Sequence, residues 1–186
     1  MKKLSIRDWI IAGFVGVLLI SMAYIWFSPA GVQPAPDLKV SVFNSEQTID
    51  LKALKGRPVL VTFWATSCQG CIKEMPHLIE LYEELAPKGL EIIGVAMSYD
   101  RPDHILEMQK RKQIPYPLVY DGINEASRAF GGIRLTPTTF LISPKGQIVR
   151  QKIGEMDMKL LHAQIVTMLK SAGLKSAGPK SSEKQS

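Results

Sequence analysis

Residues 59–76 read VLVTFWATSCQGCIKEMP, an apolar run followed by the protein's two cysteines and by the start of a helical pattern. The apolar run Val59–Trp64 is typical of a strand that is buried on both faces of a sheet. The spacing of apolar residues over Glu74–Ala86 predicts an amphipathic helix. Cys68 and Cys71 are therefore expected where a buried strand ends and a helix begins.

The position of the two cysteines indicates redox chemistry. A helix N-terminus presents unpaired backbone N–H groups and a partial positive charge, which together stabilise a thiolate. The thiolate is the species that reacts in disulfide exchange. We expect Cys68, at the mouth of the helix, to attack a substrate disulfide, and Cys71, in the first turn, to resolve the mixed disulfide.

Other functions of the cysteine pair stay open. A structural disulfide across two residues would constrain the unfolded chain little. A zinc site needs four ligands, and the conventional nitrogen donors are limited to His77, His104 and His162. Soft-metal (copper or zinc) binding or delivery is the main alternative, although no Met- or His-rich tract accompanies the cysteines. A thiol-dependent peroxidase is another, although its second thiol need not lie two residues away. We predict no metal site and no cofactor other than the cysteine pair.

The rest of the central region alternates between strand and helix patterns. Apolar runs predict strands at Leu90–Met97, Leu118–Tyr120, Thr138–Ile142 and Gln147–Ile153. Helical spacing predicts helices at Arg101–Lys112, Asn124–Phe130 and Asp157–Leu169. Asp100 or Asp103 is available to cap the first of these helices. This order predicts an α/β domain whose central mixed sheet is flanked by helices on both faces.

Several short motifs resemble known proteins. They are Phe63-Trp64-Ala65, Cys68-x-x-Cys71 with Pro76 five residues later, Gly56–Trp64, and Leu135–Ile142. The cysteine segment looks like the active-site segment of the thioredoxin fold, and Glu-Met-Pro at 74–76 is similar to membrane-anchored, extracytoplasmic proteins of the TlpA/ResA type. The resemblance covers residues 38–169. It implies a thioredoxin fold with one N-terminal transmembrane helix, and thiol–disulfide oxidoreductase activity.

The resemblance also implies roles around the dithiol. It implies a cis peptide bond before Pro137, packed against the cysteines. If that bond is cis, the Thr136 backbone stays free to pair with a substrate strand. The alternative is a trans proline at the entry to a strand. It implies that Glu74, which shares a helix face with Cys71, takes part in proton transfer, whereas a Glu in the first turn could also simply stabilise the helix dipole. Thioredoxins carry a buried Asp in the preceding strand, where this chain has Thr62.

Two residues of the cysteine motif depart from the family pattern. Ser67 stands where a Trp is common before the first cysteine, and Gly70 stands where a Pro is common before the second. Ser67 removes an aromatic face from the substrate platform, and Gly70 gives a looser turn. We place Ser67 and Trp64 with Thr136 and Pro137 among the substrate-binding residues. We expect the two departures to affect the redox potential and the choice of partner.

The two ends of the chain differ from its centre. Residues 9–27 contain no charge and are long enough to cross a bilayer as a helix, with basic residues on the N-terminal side. We expect a retained transmembrane anchor there, with a cleaved signal peptide as the alternative. Residues 1–8 would be cytoplasmic, residues 28–37 an extended linker, residues 38–170 the thioredoxin-like domain and residues 171–186 a disordered tail.

The net charge of +6 does not indicate nucleic-acid binding. Residues 1–8 and 171–186 each contribute +2, which leaves +2 for all the residues between them. A nucleic-acid-binding domain should instead carry a basic stripe on its folded surface. We therefore expect no nucleic-acid partner.

These expectations together describe a membrane-anchored enzyme outside the cytosol. Its catalytic domain would face the periplasm or the cell exterior from the inner (cytoplasmic) membrane. The resemblance implies that it reduces disulfides of protein substrates, either during cytochrome c maturation or in a specific client protein. It also implies that a transmembrane electron donor re-reduces the enzyme. We expect a monomer, and the lack of a dimerisation segment makes a disulfide isomerase a less suitable interpretation.

Overall fold

The computed structural model describes residues 13–22 and 33–173. Residues 13–22 are helical (α1) and belong to the predicted anchor, whose other residues lie outside the described ranges. Across the two described ranges, no helix combines the length and the apolarity needed to cross a membrane. The predictions for residues 1–8, 28–32 and 174–186 also fall outside the described part of the chain.

The unit that begins at Gln33 contains a six-stranded mixed sheet. Its strands, in spatial order, are β1 (Gln33–Pro34), β8 (Gln147–Ile153), β7 (Thr138–Ile142), β4 (Val59–Trp64), β5 (Glu91–Ala96) and β6 (Leu118–Tyr120). Strands β4, β5 and β6 are parallel, whereas β7, β8 and β1 each run antiparallel to the strand beside them. A separate two-stranded sheet pairs β2 (Lys39–Ser41) with β3 (Thr48–Asp50).

Four helices accompany these strands between residues 33 and 173. They are α2 (Gln69–Leu85), α3 (Pro102–Lys112), α4 (Glu125–Ala129) and α5 (Met158–Ser171). Short 3-10 turns occupy Leu51–Leu54 and Ala86–Lys88.

Helix α2 begins earlier than the apolar spacing predicts. Its first residue is Gln69 rather than Glu74, because Cys68 occupies the N-cap position and its sulfur accepts a hydrogen bond from the backbone N–H of Cys71. The apolar face of the helix becomes regular only from Met75 onward, so its periodicity misses the first turn. The helix therefore starts at the first cysteine and carries the second inside it.

The central strand β4 divides the core into two layers. Leu60 and Trp64 belong to a hydrophobic cluster with residues of α2, α3 and α5. Val59, Val61 and Phe63 belong to a cluster on the opposite face. All six residues of β4 are buried, which confirms a strand covered on both faces and a mixed sheet packed between two layers.

The N-terminal boundary of the domain lies earlier than the sequence pattern predicts. Gln33 and Pro34, expected in an extended linker, form the edge strand β1 and pair with Ile148 and Gln147 of β8. A proline is tolerated on an edge strand because its missing N–H interrupts no central ladder. At the other end, α5 continues to Ser171, the first residue of the predicted tail.

An aromatic cluster fills the core layer opposite α2. The ring of Phe140 lies 4.7 Å from that of Phe130 and 6.0 Å from that of Phe63, measured between centroids. Edge-to-face and tilted contacts of this kind add to the free energy gained by burying each ring. The cluster thereby fixes β4 and β7, the two strands that carry the site described below.

We predict that Phe140→Ala lowers the free energy of unfolding by about 3–5 kcal/mol, because it leaves a cavity in a layer where Phe140 is only 2 % exposed. Urea denaturation of the oxidised protein measures this change. Leu160→Ala, on the 45 % exposed side chain of Leu160, is the matched control and should cost less than about 1 kcal/mol. Equal losses in the two variants would show that the aromatic cluster contributes little.

Candidate active site

Cys68 and Cys71 form a disulfide at the N-terminus of α2. Their Cα atoms are 5.3 Å apart and their sulfur atoms are bonded. The N–H of Cys71 donates to Sγ of Cys68 over 3.2 Å, so the first sulfur is the capping atom of the helix. Cys68 is partly exposed, whereas Cys71 is 4 % exposed. The pair thus presents one sulfur to solvent and keeps the other inside the protein.

The loop that leads into Cys68 is held by a buried carboxylate. The backbone N–H and the side-chain hydroxyl of Thr66 each donate to the carboxylate of Asp100 over 2.6 Å. Asp100 follows β5 and is 8 % exposed. It is not the N-cap of α3, as the sequence suggested, although its Oδ1 also accepts a hydrogen bond of 2.9 Å from the backbone N–H of Arg101. The N-cap of α3 is Arg101, whose guanidinium pairs with Asp103.

Sequence reasoning therefore missed Asp100 as a residue of the site. One feature of the sequence could have indicated Asp100, because it closely follows β5, which runs parallel to β4. Polar side chains that follow neighbouring parallel strands meet at the same edge of the sheet. Its partner Thr66 lies 34 residues away along the chain, which is a distance that local patterns do not span.

Glu74 lies behind the dithiol and is only 5 % exposed. One of its carboxylate oxygens accepts a hydrogen bond of 2.9 Å from the backbone N–H of Met156. Burial raises the pKa of Glu74 above its ordinary value, and the hydrogen bond from the Met156 N–H partly offsets this rise. The negative charge of Glu155 raises the pKa further, whereas His77 lowers it. Glu74 is consequently a carboxyl group that resists ionisation next to the buried cysteine.

A small cavity lies between α2 and the sheet, beside Cys71. Its volume is about 10 Å³, close to the smallest that can hold one water, and its walls include Thr62, Trp64, Cys71, Glu74 and Tyr116. Burial, followed by the charge of Glu74, raises the pKa of Tyr116. Within the described residues, the buried Trp64 Nε1 has no hydrogen-bond partner. Glu74 thus contributes the carboxylate on the wall of this cavity.

Thr62 occupies the strand position where thioredoxins carry an acid. It is 3 % exposed, and its hydroxyl lies 3.0 Å from the hydroxyl of Thr139 on β7. Two hydroxyl groups that satisfy each other provide no ionisable group at this position. The carboxyl group beside Cys71 in this cavity therefore comes from the helix, at Glu74, rather than from the strand.

Pro137 packs against the turn between the two cysteines. The Thr136–Pro137 peptide bond is cis, as the resemblance implies. The Cδ atom of Pro137 lies 3.5 Å from the place that a Cβ on Gly70 would occupy. Thr136 is partly exposed and precedes β7, and its side-chain oxygen lies 3.4 Å from the hydroxyl of Tyr99.

The other two predicted substrate-binding residues lie in different environments. Ser67 is exposed beside Cys68, where a substrate can reach it. The placement of Trp64 on the substrate platform requires correction, because its side chain is only 3 % exposed and packs in the core under α2. Alternation along β4 places Trp64 on the same face as Leu60, beneath α2. It supports the dithiol from behind and has no access to a bound substrate.

The part of the chain that the structure describes offers no cluster of metal ligands. Within residues 13–22 and 33–173, no group of three or more His, Cys, Asp or Glu side chains is placed to hold a metal ion. His77 and His162 instead pair with Glu80 and Glu84.

Comparison with known proteins identifies the fold and the activity. Residues 32–151 match the AhpC/TSA family. The chain is 35% identical over 128 residues to the thiol-disulfide oxidoreductase ResA of Bacillus thuringiensis subsp. konkukian, covering 68% of this chain and 72% of that protein. It is 29% identical over 170 residues to ResA of Bacillus subtilis, covering 87% and 93%. The crystal structure of a thiol:disulfide interchange protein of the thioredoxin family from Chlorobium tepidum superposes with a TM-score of 0.69 at 25% identity, covering 76% and 99%.

The fold and the helix-capping cysteine pair define a thioredoxin-fold thiol–disulfide oxidoreductase. More particularly, the chain belongs to the AhpC/TSA family and is an enzyme of the TlpA/ResA type.

We predict that the pH dependence of stability reflects the burial of Glu74. Because its pKa is raised in the folded protein, its contribution to stability is complete below the ordinary carboxyl pKa of 4.5 and is lost as pH rises through the folded value. The oxidised wild type should therefore lose stability relative to Glu74→Gln as pH rises from 4.5 through the folded pKa of Glu74. Urea denaturation at a series of pH values measures the difference.

Glu84→Gln on the same helix is the matched control, with the opposite sign. Hydrogen bonds from His162 and Lys88 lower the pKa of Glu84, so its contribution is present above 4.5 and is lost as pH falls. The wild type should thus gain stability relative to Glu84→Gln as pH rises. If the Glu74→Gln and wild-type curves stay parallel, burial does not perturb Glu74.

Proposed function

We propose that this enzyme reduces protein disulfides outside the cytosol while residues 9–27 hold it in the inner membrane. The single observation that carries its redox role is the asymmetric cysteine pair, with an accessible sulfur on the helix cap and a buried one beside Glu74. The membrane location rests on the uncharged length of residues 9–27 and the basic residues before them. Residues 1–8 would then remain in the cytoplasm.

In the first step, the Cys68 thiolate attacks one sulfur of a substrate disulfide. A mixed disulfide forms, the substrate S–S bond breaks, and the departing substrate thiolate takes a proton from solvent. The Cys68 sulfur is suited to this step because it faces the backbone N–H of Cys71 and the positive end of the α2 dipole. Both features favour the thiolate over the thiol.

In the second step, Cys71 releases the substrate. Its thiol transfers a proton to the Glu74 carboxylate, and the resulting thiolate attacks Sγ of Cys68. The Cys68–Cys71 disulfide forms and the second substrate thiolate departs and is protonated. Two electrons have passed from the cysteine pair to the substrate.

Glu74 is suited to accept this proton for two reasons. It lies three residues after Cys71, on the same face of α2, and both side chains line the small cavity. Its raised pKa brings the carboxylate closer to the operating pH, where a general base is most effective. The catalytic residues are therefore Cys68, Cys71 and Glu74.

We place the substrate peptide along Thr136 and Pro137, with Ser67 beside the attacked sulfur. Thr136 precedes β7, so its backbone is free to pair with an extended substrate segment. Tyr99, next to Thr136, and Leu135 are 59 % and 61 % exposed. These apolar side chains favour a client whose cysteines are flanked by apolar residues, and Tyr99 offers an aromatic contact near a site where Ser67 offers none.

The proposed physiological setting supplies both the electrons and the clients of this enzyme. A protein that donates two electrons per cycle must be re-reduced, and we propose a transmembrane electron donor as the source. Clients would be apocytochromes during cytochrome c maturation or a specific protein with a disulfide. The enzyme would act as a monomer and would need no cofactor besides its cysteine pair.

We predict that Cys71→Ser in the full-length protein traps clients as mixed disulfides through Cys68, because the resolving thiol is absent. Affinity capture from cells under acid quench, followed by non-reducing gels and mass spectrometry, detects these adducts. Cys68→Ser is the matched control and should trap at least ten-fold fewer adducts, since Cys71 is buried. Equal trapping by the two variants would reverse the assigned roles, and trapping by neither would contradict the exchange mechanism.

We also predict that the full-length protein in detergent catalyses the reduction of insulin disulfides by dithiothreitol, and that Cys68→Ser abolishes this activity because the attacking sulfur is lost. Turbidity measures insulin reduction, and metal analysis of the same sample measures bound copper and zinc. Tight stoichiometric metal without reductase activity would instead support the soft-metal alternative. Rapid consumption of peroxide in place of insulin reduction would support a peroxidase.

A further inference from the structure

Residues 154–156, here called the β8–α5 connection, touch three parts of the active site. The N–H of Gly154 donates to the carbonyl oxygen of Pro137 over 2.8 Å. The N–H of Met156 donates to Oε1 of Glu74 over 2.9 Å. Gly154 has a φ of +85°, which favours glycine at the bend. The connection therefore ties the cis-proline loop to the carboxylate behind Cys71.

Glu155, between these two anchoring residues, lies over the turn that joins the cysteines. Its Cγ and Oε1 atoms are 3.9 Å from the place that a Cβ on Gly70 would occupy. Both of its carboxylate oxygens accept hydrogen bonds from Nζ of Lys73, over 3.2 and 3.3 Å. The Glu155 side chain is half-exposed. Lys73 thus holds a second carboxylate at the edge of the dithiol.

The charged and titratable groups that face Glu74 come from several elements. His77 follows it on α2, Tyr116 faces it across the small cavity, and Glu155 approaches it from the β8–α5 connection. Buried Cys71 lines the same cavity. Among these groups Glu155 opposes the ionisation of Glu74 by like-charge repulsion. Lys73 adjoins Glu74 in sequence, but it pairs with Glu155, so it moderates the repulsion.

We propose that Glu155, held by Lys73, is a positioning residue that sets the pH range in which Glu74 accepts the proton of Cys71. The inference rests on the proton-accepting role proposed for Glu74 above. Glu155 touches neither sulfur through a hydrogen bond of the described structure, and it acts through the charge that it presents to Glu74. The Met156 N–H beside it fixes the orientation of the same carboxylate.

The two members of the pair have opposite effects on Glu74. Without the Glu155 charge, the ionised form of Glu74 is repelled less, so Glu74 becomes available as a base at lower pH. Without the Lys73 charge, Glu155 is no longer compensated, so Glu74 becomes available only at higher pH. If Glu155 and Lys73 had purely structural roles, removing either would lower the rate of product release at every pH. The midpoint of the pH profile would not then move in opposite directions in the two variants.

The test separates the two chemical steps in the reduced full-length protein. Alkylation of Cys68 by iodoacetamide reports its thiolate, and single-turnover release of reduced product from a disulfide peptide reports resolution by Cys71. For product release, we expect the midpoint of the pH profile to fall by about 0.5 pH units in Glu155→Gln and to rise by about as much in Lys73→Met. The expected shifts are small because Lys73 and Glu155 are exposed, so water weakens the interaction of their charges with Glu74.

Matched controls lie at the C-terminal end of α2 and in the 3-10 turn that follows it. Lys88 pairs with Glu84 at 3.3 Å, so Lys88→Met and Glu84→Gln make the same two chemical changes far from the dithiol. Both controls should retain the wild-type profile for product release. Glu74→Gln should remove the midpoint altogether, because it removes the group that titrates.

The outcomes distinguish this inference from the function on which it rests. If Glu74→Gln removes the midpoint while Glu155→Gln and Lys73→Met leave it in place or move it in the same direction, the role of Glu155 is wrong and that of Glu74 stands. If the shifts occur only in Cys68 alkylation, Glu155 acts on the attacking sulfur and the inference is also overturned. If Glu74→Gln keeps the wild-type profile, the proton-accepting role itself fails.

Discussion

The hydrogen bond from the Cys71 N–H to the Cys68 sulfur is the interaction on which the site depends. It makes the first cysteine the cap of α2, so one sulfur lies at the positive end of the helix and the other lies within the first turn. The same geometry exposes Cys68 and buries Cys71. The difference between an attacking and a resolving cysteine follows from where the helix begins.

The rest of the domain positions the groups around the dithiol, which the helix cap alone does not do. Strand β4 is buried along its whole length and fixes the end of the sheet from which the cysteine loop departs. Asp100 holds the loop at Thr66, the cis-proline loop closes against Gly70, and the Met156 N–H orients Glu74. Each of these contacts joins segments that lie far apart in the chain. The chemistry therefore needs a complete sheet as well as the cysteine motif.

Local patterns predicted the secondary structure well where the pattern and the element occupy the same residues. Strands β4, β6, β7 and β8 have the predicted bounds, because short apolar or alternating runs identify strands. Local patterns failed where a partner decides the structure. Strand β1 exists because β8 offers it an edge, and the first turn of α2 exists because a sulfur caps it.

The sequence by itself determined the redox-active cysteine pair and the α/β architecture, and it led to the hypothesis that Cys68 attacks and Cys71 resolves. Each of these follows from residues that are close together in the chain. Only the tertiary structure decided that Asp100 serves the cysteine loop and that Glu155 lies over the dithiol turn. The physical reason is distance along the chain. Residues 34 or 82 positions apart meet only after the sheet has formed, and no local periodicity records such a meeting.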